Sequence, residues 1–516
     1  MKLLKYITIG AVALSMSGLA SCVNDLDLTP TDPNIKTELT TAEEWNGYFG
    51  SLYGGFLYVG NLSTSDGGAG TFIRCHWNLQ EITADEAIVS NKWNDPGYVA
   101  LNFNTWLNDN EWVYAAFSRE FYTARQCTEF IDKADGAKSV LSEEEVEAMK
   151  AEARVLRAYA YYCMIDLFGR GPWVPGTPTG ATPPTYDRKQ LFDATVEDLV
   201  NVINEGHVRP AATQAYGRVS REAAYMLLAK LYLNAGVYTG TPMWSECAAA
   251  CQKVLETINT LAPTYKYLFC ATNDRYVGNG EILWAVPQQV GSMETWGGTT
   301  GLTAGAYIET IPQEVLMSLG AIVDGQSVWS GYRMRPELSL AFDMVDKRRL
   351  IYEGDFKVGV ENLDSYDVDS DGYMCIKYTY TTEEDYLNTA GVKQGTQVCN
   401  ADYPVFRLAD TYLMLAECQL NGVECNGKLY FDKVRERAGL DPVALTADNL
   451  LKERQCELYW EGHRRSDLIR FGKYTGSVYN WSWKGGVYEG AAIDSYRSVF
   501  AIPYQYVATV GQNPNY

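Results

Sequence analysis

Residues 461–472, EGHRRSDLIRFG, set His463 among Glu461, Arg464, Arg465, Asp467 and Arg470, a mixture from which a proton-transfer site could be built. The same residues suit a structural tie, because guanidinium–carboxylate forks hold a helix end to its neighbours with directional bonds. Neither chain neighbour of His463 is a serine or cysteine, and the other histidines, His76 and His207, lie far away in sequence. The structural reading is therefore expected, with Glu461 and Asp467 accepting from Arg464, Arg465 and Arg470. A second chemistry is offered by three tryptophans in loop-like segments: Trp93 in NKWNDPG, Trp296 in METWGGTT and Trp329 in SVWSGYR. Such rings stack on the C–H faces of sugars, while polar neighbours bond the hydroxyls. A third is DVDSDG, in which Asp367, Asp369 and Asp371 alternate before Gly372 as in the first half of an EF-hand loop. Tyr378 stands where that loop would place its bidentate glutamate. A calcium site and a solvated acidic turn are both readings of this stretch, and no other cofactor is required.

Several chemistries are disfavoured. The 12 cysteines lack C-x-x-C spacing, so no metal-centred enzyme is legible, and Cys247 and Cys251, four apart, are expected to be small core residues rather than a bridge. GTTGLTAG (298–305) has no lysine for a phosphate cradle, and no G-x-S-x-G elbow occurs. A formal charge of −21 without a basic run argues against nucleic acid as a partner. The 37 tyrosines and 13 tryptophans exceed what a helical core needs and suit a hydroxyl-rich ligand.

The elements that must position these residues are mainly helical. Ser142 and Glu145 form a capping box, after which Val146, Met149, Ala153, Leu156, Ala160, Cys163 and Leu167 recur at spacings of three and four, until Gly169, Gly171 and Pro172 end the helix. Further helices are expected at 187–204, 220–235 (Ser220 cap, Gly236 stop), 244–258, 407–421, 427–438 and 446–470. Their pairing suggests a tetratricopeptide-like scaffold over about 110–260 and 403–475. Between 262 and 402 glycine, threonine and isolated aromatics take over, with short strand-prone runs such as EILWAV and CIKYTYTT. This loop-rich lobe is where binding function is expected. Residues 45–125 read as helices interrupted by a loop-rich stretch from Asn61 to Trp106.

The first 21 residues, with two early lysines and an apolar run from Ile7 to Met16, read as a secretory signal. Leu19-Ala20-Ser21-Cys22 resembles a bacterial lipobox, in which Cys22 carries the lipid. Residues 22–40 would be an extended tether and 41–516 the folded body.

Six stretches together resemble the SusD/RagB family of outer-membrane, glycan-binding lipoproteins: KAEARVLRAYAYYCMIDLFGRGP (150–172), GRVSREAAYMLLAKLYLNAGVYTG (217–240), YPVFRLADTYLMLAECQLNG (403–422), KVRERAGL (433–440), ERQCELYWEGHRRSDLIRFG (453–472) and AIPYQYVATVGQNPNY (501–516). The resemblance implies a mainly α fold, no catalysis, a surface-exposed position anchored by lipid in the outer membrane, and a TonB-dependent, SusC-like transporter as partner. It implies that the polysaccharide is starch or another α-glucan. It also places Trp93, Trp296 and Trp329 in segments that hold the ligand-stacking aromatics of starch-binding members, although tyrosine is the residue at the position of Trp296. By the same resemblance Asn94 and Arg74 are polar ligand contacts, and the 461–472 cluster is structural. A surface glycoside hydrolase using two of the 64 acidic residues, and a repeat scaffold binding only protein, are the alternatives.

Overall fold

In a computed structural model, residues 38–58, 70–90, 96–176, 182–320, 328–363, 371–388 and 398–516 are described. The scaffold helices are α1 (Ala42–Leu57), α2 (Glu111–Lys133), α3 (Glu143–Leu167), α4 (Arg188–Glu205), α5 (Arg221–Leu233), α6 (Trp244–Leu255), α7 (Leu408–Leu420), α8 (Gly427–Ala438), α9 (Ala447–Leu458) and α10 (Arg464–Arg470). Local chemistry sets their starts. Ser142 and Glu145 form the expected capping box on α3, Thr41 and Glu44 form one on α1, and the Ser220 side chain accepts from Ala223 N–H at the start of α5. Helix α2 packs on α3, α3 on α4, α4 on α5 and α5 on α6. Helix α6 then packs directly on α7, which carries α8 and α9. The tetratricopeptide-like stack is thus continuous in space although about 150 residues intervene in sequence, and the loop-rich lobe is inserted between two stacked neighbours.

Two expected helices are divided. Helix α5 ends at Asn234 and a further turn, Ala235–Thr239, runs to Gly240, so Gly236 lies inside a helix and does not stop one. The stretch read as one helix over 446–470 breaks between α9 and α10, where Trp460 (φ 61°) and Gly462 (φ 78°) take left-handed backbone. The stretch read as loop from Asn61 holds a helix, Phe72–Trp77, a π-turn, Asn78–Ile82, and strand β1 (Ala87–Val89). EILWAV forms β2 (Ile282–Val286) as expected, whereas CIKYTYTT contributes only Cys375 to a two-residue strand.

Two short antiparallel pairings fix the lobe. Strand β1 pairs with β3 (Tyr332–Met334), Val89 opposite Tyr332, and β2 pairs with β4 (Tyr403–Arg407), which leads into α7. The 11 cysteines among the described residues are all buried and unbridged, Cys247 and Cys251 included.

Candidate functional site

Trp296 and Trp329 come together. Their ring centroids lie 6.0 Å apart with planes tilted by 46°. Trp296 is 45% exposed, the only tryptophan among the described residues to stand so far out, and Trp329 is half-buried beside it. An exposed ring of this size leaves apolar surface in water that a ligand face can cover.

The pair is held by backbone bonds. Trp329 N–H donates to Ala304 O (2.7 Å) at the end of the helix Thr299–Ala306, and Ser330, in left-handed backbone, donates N–H to Tyr307 O (3.0 Å). Ser90, just past β1, donates its N–H to Gly331 O (2.7 Å) and its hydroxyl to Ser330 O (3.0 Å). On the other side the Thr71 hydroxyl donates to Gly297 O (3.0 Å), next to Trp296. Neither ring is therefore carried by a free loop tip.

Arg74 does not reach the surface. It is fully buried, with its guanidinium 4.8 Å from the centre of the Tyr332 ring. Gly301 allows this approach: a Cβ there would run into Arg74 Nη1 and lie 2.6 Å from Trp296 O. Arg74 thus packs between the Tyr332 ring, three residues beyond Trp329, and the helix at Gly301, five residues beyond Trp296. The expected direct contact with sugar hydroxyls does not fit this burial. Trp93 and Asn94 lie outside the described residues, as do Cys22, Asp367 and Asp369. Asp371 is buried with Oδ1 3.9 Å from Lys357 Nζ, and among the described residues no group of histidine, cysteine or carboxylate side chains is arranged to hold a metal.

The 461–472 cluster is a buried ion-pair network in the scaffold. Its partners differ from those expected. Glu461 accepts from Arg407 (2.6 and 2.8 Å) and Lys377 (2.7 Å), which come from β4 and the lobe. Arg464 donates to Asp85 (2.6 and 2.8 Å), and Arg465 stacks on Tyr474 and Phe500. Only the Asp467–Arg470 pair (2.8 Å) is as expected, and Asp467 also accepts from Arg454 (2.8 Å), which holds its carboxyl down to about 2 against the effect of burial. His463 Nδ1 lies 3.3 Å from Lys230 Nζ. Burial, and next the charge of Lys230, push its pKa well down, so the imidazole is neutral and accepts from the ammonium. Beneath it Glu81 accepts from the N–H groups of Gly462 (2.6 Å) and His463 (3.0 Å). Burial raises Glu81 to about 7, and it raises Glu86, which also feels the charge of Glu81, well above the carboxylate range.

The same scaffold is found in known proteins. A family model described as the SusD family matches residues 360–504, and one described as starch-binding and associating with the outer membrane matches residues 76–233. The chain is 27% identical to the starch-binding protein SusD of Bacteroides thetaiotaomicron, over 98% of this chain and 96% of that one. It superposes on the surface glycan-binding protein A of the same organism, solved with laminarihexaose, with a TM-score of 0.70 at 19% identity, covering 92% of this chain and all of the other. A structure described as a laminarin-binding SusD-like protein gives 0.68 at 20% identity, over 93% and 100%. Matches in both halves of the sequence, alignment along nearly its whole length and one shared fold point the same way: the chain is similar to the SusD family from end to end of its described scaffold.

Proposed function

We propose that this protein binds a glucan without cleaving it and that the Trp296–Trp329 pair is its stacking platform. The observation that carries the reading is the pair itself: two rings, one of them well exposed, 6.0 Å apart and fixed to the backbone of the loop-rich lobe. Their 46° tilt matters for the choice of ligand. A flat β-1,4 chain presents coplanar faces and covers one ring at a time, whereas a curved chain turns successive faces toward successive rings. Starch is the glucan named for the relative that aligns along the whole chain, which favours an α-1,4 chain. Laminarin, named for one of the solved relatives while another was solved with laminarihexaose, is the second reading, because its chain also curves.

Trp93, with Asn94 beside it, is proposed as a third ring and its hydrogen-bonding edge. What supports this is connection along the chain: Ser90, three residues earlier, bonds Ser330 and Gly331 next to Trp329. Cys22 is proposed as the lipid anchor that holds the body at the outer face of the outer membrane, in line with the outer-membrane association in the family description. From there the chain would pass to a TonB-dependent transporter of the SusC type.

Calorimetric titration with maltoheptaose, laminarihexaose and cellohexaose, with reducing ends measured in parallel, tests the reading. Binding of a curved glucan, no binding of cellohexaose and no new reducing ends are expected. Equal affinity for cellohexaose would remove the argument from tilt, and release of reducing ends would turn the assignment toward a hydrolase.

A further inference from the structure

Met293, in the segment that carries Trp296, lines a cleft of about 410 Å³. Helix α1 forms its floor, the turn at Tyr216–Arg218 one wall, and Pro287 and Met293 the other. Its size is within the roughly 300–1,000 Å³ of small-ligand sites. Two rings project into water at its edges, Tyr58 at 47% exposure and Tyr216 at 50%. Arg218 lies 4.8 Å over the Phe49 ring, and Asn46 is exposed on the helix.

These groups are fixed in place. Both guanidinium bonds from Arg218 go to Glu152 (2.8 and 2.6 Å), to which the Tyr53 hydroxyl also donates (2.6 Å). The Tyr216 hydroxyl donates to Asp402 (2.6 Å), whose second oxygen accepts from Gln288 N–H (2.8 Å), so one carboxylate ties the two walls together. The Tyr58 hydroxyl reaches Ser292 O at 3.2 Å and closes the end nearest the tryptophans.

Helix α1 adds an observation of its own. Gly50 sits exposed in its interior, where glycine weakens a helix relative to alanine. Packing does not demand it, since a Cβ at Gly50 would meet nothing within 4 Å. What glycine does there is keep the floor of the cleft low.

We propose that this cleft is a second carbohydrate subsite, which takes the part of a glucan chain running past the Trp296–Trp329 pair. The proposal rests on the pair being the glycan platform. Continuity decides the occupant. Met293 in the cleft wall is three residues from Trp296, so their Cα atoms are at most about 11 Å apart, a gap that a few sugar residues bridge. Half-exposed phenol rings with an arginine and an asparagine beside them repeat the combination of flat apolar faces and hydroxyl-bonding edges that a sugar needs.

The test compares chain lengths. Wild type, Gly50→Ala, Gly50→Leu and Tyr58→Ala are titrated with the three- and seven-residue members of the maltose and laminaribiose series, and thermal melts confirm the fold. In the series that wild type binds, the longer chain is expected to bind about tenfold tighter than the shorter. Gly50→Leu and Tyr58→Ala should weaken the seven-residue ligand about fivefold or more while leaving the three-residue ligand unchanged. Gly50→Ala should weaken the seven-residue ligand less than Gly50→Leu does and leave the three-residue ligand unchanged. Undiminished binding of the longer chain in folded Gly50→Leu and Tyr58→Ala would overturn the second subsite and leave the platform standing. Failure of wild type to bind either series would overturn the platform and this proposal together.

Discussion

Trp296 projects from a segment whose backbone is anchored at Gly297, so removal of its ring leaves the fold untouched and deletes one face of the platform. Truncation of an aromatic anchor of this kind costs on the order of 2 kcal/mol, and Trp296→Ala is expected to bind the preferred glucan at least about tenfold more weakly with an unchanged melting temperature. Calorimetry beside a thermal melt checks both halves. Arg74 behaves differently: buried against Tyr332 and the backbone at Gly301, it would affect binding through the positions of the tryptophans. Legibility at this scale followed local chemistry. A tryptophan flanked by glycine, threonine or serine announces a loop ring, whereas the burial of Arg74 depends on Gly301, more than 200 residues away. The cleft was missed, although glycine recurring inside an amphipathic helix, NGYFGSLYGG, was a signal open to reading.

At the level of elements, the break between α9 and α10 does the joining. Left-handed backbone at Trp460 and Gly462 turns the chain so that Glu461 meets Arg407 from β4 and Lys377 from the lobe, while Asp467 on α10 meets Arg454 on α9. A Cβ on Gly462 would come within 3.2 Å of both His76 Cδ2 and the Tyr403 hydroxyl, which is why glycine stands at the turn. Asp467→Ala leaves two buried guanidinium groups short of an acceptor and is expected to destabilise by about 3 kcal/mol, read as a lower melting temperature with glucan affinity retained. Helix starts were legible because a cap and its helix adjoin in sequence, as at Ser142 and Ser220. The ion pairs were not, since Arg407 stands 54 residues from Glu461 and no local pattern selects it among the other arginines. The β1–β3 pairing escaped for the same reason: three-residue strands carry almost no periodicity.

For the whole molecule, charge and anchorage matter together. No helix among the described residues is long and apolar enough to cross a membrane, and the proposed anchor is a lipid on Cys22. Cys22→Ala is expected to move the protein from the membrane fraction to the soluble fraction; sedimentation with membranes as complete as for wild type would contradict the anchor. Stability should also depend on pH. Glu81 is raised by burial to about 7, so the folded state binds a proton that the unfolded state has released. That contribution is fully present below the unfolded value near pH 4.5 and is lost as pH rises through about 7. Glu81→Gln, which keeps an acceptor for Gly462 and His463, is expected to flatten the fall in melting temperature across this window; a slope identical to wild type would remove the Glu81 proton from the account.

Trp296 stands 45% exposed with its ring 6.0 Å from that of Trp329, and a stacking face reads a sugar ring without reading a chain end. A polymer of identical sugars can therefore settle on it in as many registers as it has adjacent residues, and every register is the same complex. The apparent affinity per polymer molecule rises in proportion to that number through statistics alone, with no added contact. A bound chain can advance by one residue and find the surface unchanged, so it can slip along the protein without first escaping into solution. On the proposed function, threading of a long glucan past a fixed point would follow from two rings that read a face and ignore its place in the sequence of sugars.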